Sequence, residues 1–482
     1  MPKNTSTSTP PPRLSSGEME QRLPSARSHA LASGDLTRRD LVKAGVVGLA
    51  ALVPAVNFMK AAAPAATAAA GRGLRFGVNY VPRKHWWYGW LDWDGQAVRE
   101  DFEAIRELGM DHIRIQCLWP VFQPGINYVS SEALERLHEL LDLAQSAQLD
   151  VEVAVLDGWL SGYAFMPAWV TPLATDTSHN VFIHPEIIEA EKLLFTAIGR
   201  SVGGHQRFLG FDLGNEIGVL QEMAGLNSAV TPEQADRWAT TMLAHCLEIC
   251  PGKFHVNGVD DSHWFSDIGF SRENLGRTGS ATVVHCYAYW TGALDHYRYD
   301  DAGNLHLAEY MVELARAYHR DPQRAVWVQE VGTSEEWMPE AYMPEYASKL
   351  LQNAAECQRV WGFTWWCSHD INPAMKGFLS LEYGLGLLDQ RNRMKPLGKA
   401  LSGLFTEWRK HPPAEIARPV ALVIPDRGLS KKSGSADWSL ATQYMDLVKG
   451  GVRPAIVLES RVDDKGYLQS RGIEELIRAK VG

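Results

Sequence analysis

Short apolar runs alternate with helical patterns of apolar residues eight times between residues 74 and 410. Strands that alternate with helices in this way are joined by crossover connections, and they therefore run parallel in one sheet. Eight units favour closure into a barrel, and the alternative, an open doubly wound sheet, has no glycine-rich phosphate-binding motif to support it. The sequence therefore predicts the α/β class and a (β/α)8, or TIM, barrel. The predicted strands cover residues 74–80, 112–118, 150–156, 208–213, 254–256, 281–285, 325–330 and 360–365.

The predicted helices follow these strands, and one of them has a clear start signal. Thr231 is expected to cap a helix because Pro232 and Gln234 follow it at the favoured first and third helical positions. Between the third strand and the next helix lies a long aromatic loop, residues 157–185, and loops of that length are usually functional or disordered. Further helices are predicted at 186–202, 305–320, 344–358 and 395–410.

The first 70 residues do not share this pattern. Arg38 and Arg39 precede a mildly apolar segment, residues 44–58, and alanines near 68–70 offer cleavage sites. A twin arginine before a short apolar segment predicts a signal for the twin-arginine export route, and hence a periplasmic or extracellular protein. The apolar segment has about 15 residues and a membrane span needs roughly 20. We therefore expect no stable membrane anchor after cleavage.

The remaining chain is acidic, and its cysteines follow no metal-binding pattern. The formal net charge is −10 for the whole chain and becomes −14 without the basic leader. A negative surface disfavours nucleic acid as a partner and suits a neutral substrate. The six cysteines include no C-x-x-C pair and are expected as buried thiols. No metal is predicted, because the acidic loops 92–95 and 463–466 lack the remaining ligands of a calcium site.

Residues 412–482 follow the predicted barrel domain, residues 71–411, as a small α/β extension. The pattern predicts a short β-α-β-α appendage, with a strand at 419–425, a helix at 438–448, a strand at 455–458 and a helix at 473–480. A unit of this size buries too little apolar surface to be stable alone. We therefore expect it to pack on the barrel or on another subunit, so assembly of an oligomer is one of its two expected roles.

Two of the predicted strands end in a glutamate. The run FLGFDLGNEI places Glu216 at the end of the fourth strand, and AVWVQE places Glu330 at the end of the seventh. In a (β/α)8 barrel the chemistry occurs at the C-terminal ends of the strands, so these carboxyl groups are expected to face each other. Glycoside hydrolysis uses such a pair, about 5–5.5 Å apart in retaining enzymes and about 6.5–9.5 Å apart in inverting ones. We predict that Glu216 is the general acid/base and Glu330 the nucleophile.

The order and spacing of these residues resemble the clan A glycoside hydrolases, most closely glycoside hydrolase family 5 and its endo-β-1,4-mannosidase-like and cellulase-like members. The resemblance covers about residues 74–410. It implies a retaining mechanism with Glu216, preceded by Asn215, as acid/base and Glu330 as nucleophile, and it implies no cofactor. Ile217 stands where many family members have proline, and the third strand ends in Asp157, Gly158 and Trp159.

The resemblance also implies supporting roles around the two glutamates. Arg114 on the second strand would steady the nucleophile. His285 and Tyr287 match a His-x-Tyr motif on the sixth strand, whose tyrosine hydroxyl lies near the nucleophile. Trp365 or Trp366 would be the platform for the sugar at the cleavage point.

Further residues are expected to bind the sugar because of their chemistry. Asn215 could bond a sugar 2-hydroxyl group, and such contacts strengthen in the transition state. Asn79, Trp119 and Trp159 follow or end other predicted strands, and flat apolar rings suit the C–H faces of sugars. Other tryptophans in comparable positions are Trp86, Trp87, Trp90, Trp93, Trp264 and Trp290.

Together these features predict an exported retaining β-glycoside hydrolase that acts on a β-linked oligo- or polysaccharide, such as a β-mannan or β-glucan. The alternative is an exo-acting enzyme of the β-galactosidase or β-mannosidase type. The loop at 157–185 favours it by walling off a cleft, and the C-terminal extension resembles part of the flavodoxin-like domain of glycoside hydrolase family 42. A catalytically inactive carbohydrate-binding barrel is a third hypothesis, which the presence of both carboxylates disfavours. A transglycosidase would carry the same carboxylates.

Overall fold

The computed structural model describes residues 73–171, 180–221, 230–428 and 437–480. The predicted leader, residues 1–70, lies outside these ranges, and so does part of the loop at 157–185. Among the helices within these ranges, none combines the length and the apolar character that crossing a bilayer requires.

A curled parallel sheet forms the centre of the described chain. In sequence order its strands are Arg75–Asn79, His112–Leu118, Asp150–Asp157, Phe208–Asp212, Thr282–Cys286, Val326–Val331 and Val360–Trp365. In space the Arg75–Asn79 strand lies between His112–Leu118 and Val360–Trp365, and the sheet extends to Phe208–Asp212 on one side and to Thr282–Cys286 on the other. All of these pairs are parallel, as the alternation of elements predicts.

The predicted fifth strand, residues 254–256, closes the gap between the two edges of this sheet. The Phe254 amide donates to the Leu209 carbonyl at 2.8 Å, and the Ser280 amide donates to the His255 carbonyl at 2.7 Å. A Cβ on Gly210 would lie 1.8 Å from the Phe254 carbonyl oxygen, so this approach requires glycine. The segment is paired over too short a length to count as a full strand, and it contributes an isolated bridge instead.

Helices pack around the outside of the barrel, as expected for this architecture. Thr231 caps the Pro232–Ile249 helix in a capping box with Gln234, as its sequence predicts. The other long helices of the barrel are Gly95–Glu107, Ser131–Ser146, Pro185–Val202, Leu307–Ala317, Met343–Ala355 and Pro396–Lys410. Short helices lie at Trp119–Phe122, Ser262–Phe265, Arg272–Leu275, Ala293–His296 and Ala302–Leu305, and 3-10 turns at Trp86–Trp90, Ile217–Gln221, Glu340–Tyr342, Ser380–Tyr383 and Glu459–Arg461. All six cysteines are buried.

Loops that follow the first, third and last strands of the sheet pack together through aromatic rings. The loop after the third strand forms a small hairpin, Trp159–Leu160 paired with Tyr163–Ala164. Tyr163 and Trp86 each lie edge-on to Phe378, with ring centroids 5.2 and 5.1 Å apart. We call these rings, together with Phe165, the aromatic wall, since Phe165 contacts both Trp86 and Tyr163.

The C-terminal extension is a three-stranded parallel sheet, and one predicted element in it is wrong. The strand order is Ala455–Leu458, Val420–Ile424 and Glu475–Arg478, with helices Ser439–Lys449 and Lys465–Arg471 as crossovers. The predicted helix at 473–480 is instead the edge strand Glu475–Arg478, which pairs with the central strand. Gly472, at φ 69°, ends the preceding helix in the left-handed conformation. The sequence pattern failed here because the partner strand, not local periodicity, determines an exposed edge strand.

The extension packs on the barrel helix Leu307–Ala317 through buried ion pairs. All eleven residues of this helix are buried, including the carboxylates of Glu309 and Glu313. Arg453 pairs with Glu309 at 2.9 Å, Arg471 pairs with Glu313 at 2.6 Å, and Arg418 also pairs with Glu309. Burying charges is costly unless they are paired, so these contacts fix the extension in one position on the barrel.

Candidate active site

Glu216 and Glu330 lie at the same end of the barrel, as the sequence predicts. Glu330 belongs to the Val326–Val331 strand, whereas Glu216 follows Phe208–Asp212 in a sharp turn. The backbone of Glu216 has φ 43°, a left-handed conformation that is unfavourable for a residue with a side chain. Just before it, a Cβ on Gly214 would meet the Leu156 carbonyl oxygen at 2.5 Å. The tight turn therefore aims the Glu216 side chain into the barrel mouth.

The two carboxylates are close enough to act on one sugar. One oxygen of Glu216, one oxygen of Glu330 and a ring nitrogen of His285 all lie within 4.8 Å of one another. The Tyr287 hydroxyl donates to Glu330 Oε1 at 2.7 Å, and Arg114 Nη1 donates to Glu330 Oε2 at 3.2 Å. Carboxylates with oxygens this close are consistent with the short carboxyl–carboxyl separation of retaining glycosidases.

Arg114 is the buried cation at the centre of the site. Its Nη2 donates to Asp212 Oδ2 at 2.8 Å, and its Nη1 also donates to Asn79 Oδ1 at 2.9 Å and Asn215 Oδ1 at 3.0 Å. The side chain is fully buried. Burial lowers the pKa of Arg114, but the charges of Asp212 and Glu330 outweigh that effect and raise it, so the guanidinium stays charged. This permanent cation is the ion-pair partner of Glu330 as well as of Asp212.

His285 connects the acid/base candidate to the barrel interior. Its Nε2 lies 3.2 Å from Gln329 Oε1, and its Nδ1 lies 3.0 Å from Glu216 Oε1. Gln329 uses its amide nitrogen to donate to Glu152 and Asp212, so its oxygen is left to accept from His285 Nε2. The other ring nitrogen therefore shares a proton with Glu216.

The electrostatics of this cluster raise the pKa of Glu216 and of its neighbour His285. Burial raises the pKa of Glu216, and the charge of Glu330 raises it further, although the bond from His285 acts in the opposite direction. Burial lowers the pKa of His285, but the charge of Glu330 and the bond to Glu216 outweigh burial and raise it to about 9. Burial also raises the pKa values of Glu152 and Asp157 well above the ordinary range. Glu216 is thus the carboxyl group suited to hold a proton, with the Arg114 cation beside Glu330.

Glu216, His285 and Glu330 are also the cluster in the described part of the chain whose atoms could approach one metal ion. Arg114 already donates to Glu330, and a bound cation would have to share that carboxylate with a fixed positive charge. Glu330 therefore already has a cationic partner in Arg114, and the cluster is poorly suited to a metal ion.

The predicted sugar-binding tryptophans occupy different environments. Trp119 is fully buried, and its Nε1 donates to Gln123, so its ring offers no free face. Trp365 is 1% exposed within its strand, whereas Trp366 is 6% exposed and lies across Gly332 from Tyr287. Trp366 is therefore the better placed of the two alternatives. Trp159 is half-buried, and its carbonyl accepts a bond from Asn215 Nδ2 at 2.9 Å.

Other aromatic residues border the site on the side of Tyr287. Trp290 is 50% exposed, and Tyr289 stacks in parallel on Trp337 with centroids 5.4 Å apart. Trp337 in turn lies edge-on to Tyr287, which bonds Glu330. By contrast, Trp87, Trp90 and Trp264 are buried in the core, and Trp86 is the fully buried ring of the aromatic wall, whose other rings are half-buried.

Several residues of this cluster were not predicted from the sequence. Asp212, which holds Arg114, lies inside the predicted fourth strand, where its interruption of an apolar run was the available signal. Gln329 directly precedes Glu330. The available signal was that a buried His285, on the predicted sixth strand, needs a hydrogen-bond partner. Glu382, whose pKa is raised to about 7 mainly by burial, follows no strand end and gave no signal.

Comparison with known proteins supports this interpretation of the geometry. The family model described as cellulase (glycosyl hydrolase family 5) matches residues 75–370, more than half of the chain. A search of curated protein sequences returned no significant match.

Among solved structures, GH5_18 from Streptomyces cattleya in complex with GlcNAc is 36% identical and superposes with a TM-score of 0.79, covering 85% of this chain and 99% of that chain. The complex of the Streptomyces cattleya protein with Manβ1-4GlcNAc is 36% identical with a TM-score of 0.77, covering 84% and 99% of the two chains. A GH5_18 from Bifidobacterium longum subsp. longum, also in complex with Manβ1-4GlcNAc, is 31% identical with a TM-score of 0.77, covering 85% and 96%.

The curled parallel barrel, the paired carboxylates at its mouth and these matches agree with one another. The chain belongs to glycoside hydrolase family 5, a family of enzymes that hydrolyse glycosidic bonds with retention of anomeric configuration.

Proposed function

We propose that this enzyme is an exo-acting β-mannosidase that releases mannose from Manβ1-4GlcNAc and similar short β-mannosides. One observation carries the proposal: the chain aligns with 99% of the Streptomyces cattleya protein, whose structure was solved with this disaccharide. The match also covers 84% of this chain, which is more than the barrel domain alone. The predicted endo-acting β-mannanase or β-glucanase would need an open cleft.

The arrangement of the loops supports exo action over cleavage within a polymer. The aromatic wall consists of rings from the loops that follow the first, third and last strands. A wall on one side of a barrel mouth leaves a pocket for the end of a chain, whereas a polymer-cleaving enzyme must let the chain continue on both sides.

The proposed reaction uses Glu216 and Glu330 in two displacements. In the first, a Glu330 oxygen attacks the anomeric carbon while the bond to the leaving oxygen breaks and Glu216 gives that oxygen its proton. In the second, Glu216 takes a proton from water, the water oxygen attacks the anomeric carbon, and the ester bond to Glu330 breaks. Arg114 and Tyr287, which donate to Glu330, orient the carboxylate before attack and stabilise it again after release.

Hydrolysis assays on residues 71–482 test this proposal. The substrates are Manβ1-4GlcNAc, aryl β-mannoside, aryl β-glucoside, aryl β-galactoside and β-mannan, and proton NMR follows the first anomer released. We expect rapid cleavage of both mannosides with β-mannose as the first product, and little release from the polymer. Production of internal oligosaccharides from β-mannan, or a preference for glucosides or galactosides, would overturn the proposal.

Two isosteric variants test the roles of the glutamates in the same assays. Glu330→Gln is expected to lose activity on every substrate because the nucleophile is gone. Glu216→Gln should retain partial activity on aryl mannosides with good leaving groups, because these need no proton, and lose it on the disaccharide. Full activity of either variant would contradict the assignment, and Glu335→Gln, which alters an exposed acid on a neighbouring loop, is the matched control.

The leader supports a second, separate part of the proposal, namely export by the twin-arginine route. Arg38 and Arg39 precede the short apolar segment and the alanine-rich cleavage sites. Replacing both arginines by lysine should retain activity inside cells that otherwise export it, measured by fractionation. Unchanged export of the double variant would contradict this route.

A further inference from the structure

Glu382 is a third carboxylate at the barrel mouth that the two-displacement mechanism does not use. It lies in the 3-10 turn Ser380–Tyr383, after the last strand of the barrel, and is 8% exposed. Within the described ranges its hydrogen-bond partner is Ser161, whose hydroxyl donates to Oε2 at 3.1 Å, and no lysine or arginine pairs with it. An ionised carboxylate can accept about four bonds, so most of its capacity is unused.

The hairpin Trp159–Ala164 places Glu382 relative to the catalytic pair. At one end of the hairpin, the Trp159 carbonyl accepts from Asn215, the neighbour of Glu216. In its turn, Ser161 bonds Glu382, and Tyr163 packs on Phe378 four residues before it. The hairpin therefore links the turn that carries Glu216 to Glu382 through one hydrogen bond at each side.

The contacts of Glu382 place it beside the aromatic wall, because Ser161, which bonds it, lies two residues from Tyr163, and Phe378 lies four residues before it. Burial raises the pKa of Glu382 to about 7, the Ser161 bond lowers it, and the charges of Glu330 and Glu216 raise it further. The charge of Glu382 also raises the pKa of Tyr287, which bonds Glu330. In the proposed exo action the wall closes the mouth beyond the terminal sugar, so a carboxylate beside the wall lies near the end of that sugar that is remote from the bond that breaks.

We propose that Glu382 is a specificity-determining residue that accepts hydrogen bonds from the hydroxyl groups of the terminal sugar remote from the glycosidic bond, the 4-hydroxyl included. A sugar substituted at oxygen 4 would bring no donor to this carboxylate and would meet the aromatic wall. Glu382 would thus select a free chain end. This inference rests on the proposed exo-acting function and names the contact that produces it.

The test compares aryl β-mannoside with its 4-deoxy analogue for the wild type, Glu382→Gln and Glu382→Ala. Loss of one charge-assisted hydrogen bond corresponds to about a 10- to 100-fold effect. We expect the wild type to show an increase in KM of this size for the deoxy substrate, and the Glu382 variants to show the same increase for the full substrate. In the variants, the difference between the two substrates should nearly disappear.

A purely structural role for Glu382 predicts a different result. The variants would then lose activity equally on both substrates, and the penalty for the deoxy sugar would stay as in the wild type, which would overturn the inference. Thermal unfolding checks that the variants fold. Ser161→Ala is a second variant, which removes the hydrogen bond to Glu382 but keeps its carboxylate. Glu335→Gln, which removes an exposed charge near Gly384, is the control and should leave both KM values unchanged.

Failure of the proposed function gives a separate outcome. If the wild type prefers another β-glycoside, the same comparison is made with that sugar and its 4-deoxy analogue, and Glu382 is tested there. If the wild type cleaves inside β-mannan while Glu382→Gln still loses the 4-hydroxyl preference, the exo assignment fails but the contact stands. Equal KM values for both substrates in the wild type would overturn the contact itself.

Discussion

At the scale of single residues, the site depends on fixed donors that surround one carboxylate. Glu330 accepts from Tyr287 on one oxygen and from Arg114 on the other, and Arg114 is itself held by Asp212. Donors that are already oriented cost no reorganisation when charge develops during the reaction. Removal of one donor should therefore reduce the rate without unfolding the barrel.

Tyr287→Phe tests the contribution of one donor. The phenol oxygen donates to Glu330 at 2.7 Å, and a bond to a charged acceptor is worth roughly 1.5–3 kcal/mol. We expect kcat/KM to fall by about 10- to 100-fold with little change in melting temperature. Tyr128→Phe, at a tyrosine that is 59% exposed, is the control. An unchanged kcat/KM for Tyr287→Phe would show that this bond makes no contribution.

The pKa of Glu216 gives a second prediction at this scale. Burial and the charge of Glu330 both raise it, so the decline of kcat/KM at alkaline pH, where Glu216 loses its proton, should lie above the ordinary range of a glutamate. Glu330→Gln removes the neighbouring charge, so the pKa of Glu216 should become lower. Carbon-13 NMR of labelled glutamate, assigned with Glu216→Gln, measures it. An equal or higher pKa in Glu330→Gln would contradict the coupling.

At the scale of elements, the barrel closes through a segment that is barely a strand. Residues 254–256 bond to the Phe208–Asp212 strand on one side and to Ser280 on the other. The same strand leads into the turn that carries Glu216. Closure at this point therefore supports both the fold and the position of the acid/base candidate.

Gly210→Ala should disrupt this closure. A Cβ at this position would lie 1.8 Å from a backbone oxygen, so the paired segment must move. Overpacking of this kind costs about 1–3 kcal/mol, and we expect a lower melting temperature together with a lower kcat. Gly204→Ala is the matched control because its added Cβ would meet nothing within 4 Å. Equal melting temperatures for the two variants would show that the segment yields without cost.

At the scale of the whole molecule, the extension and the barrel share buried charges on the helix Leu307–Ala317. Burial raises the pKa of Glu309, but His306, Arg418 and Arg453 outweigh burial and lower it to about 2. A carboxylate with a lowered pKa stabilises the folded state fully above its ordinary pKa, near 4.5, and that contribution is lost as the pH falls towards 2. The two parts should therefore separate in acid.

Glu309→Gln tests this coupling through the free energy of unfolding. Removal of one partner from a buried ion pair leaves arginines uncompensated, so we expect a loss of about 3–5 kcal/mol at pH 7. The difference from the wild type should shrink as the pH falls from 4.5 towards 2, because Glu309 of the unfolded wild type takes up a proton below pH 4.5 whereas the folded protein does so only near pH 2. Urea unfolding at several pH values measures this. Glu474→Gln, at an exposed position in the extension, should have no effect, and a Glu309→Gln loss that is independent of pH would contradict the charge argument.

Elements with strong local patterns were predicted correctly, and those that depend on partners were not. The capping box at Thr231 and the alternation of the barrel are encoded within a few residues, so they follow from sequence. The strand Glu475–Arg478 exists because a central strand offers it a partner, and its apolar spacing suggested a helix. Many aromatic residues predicted to bind sugar are core residues instead, because a ring after a strand can pack inward or outward with the same local sequence.

The sequence by itself determined the barrel and the two strand-end glutamates, since strand ends in a parallel barrel must meet at one face. Only the tertiary structure decided what surrounds them. It brought Asp212 to Arg114, placed Gln329 against His285, and carried Glu382 to the mouth through the hairpin at Ser161. These contacts join residues from separate strands and loops, and packing between elements, rather than any local pattern, determines where such groups meet.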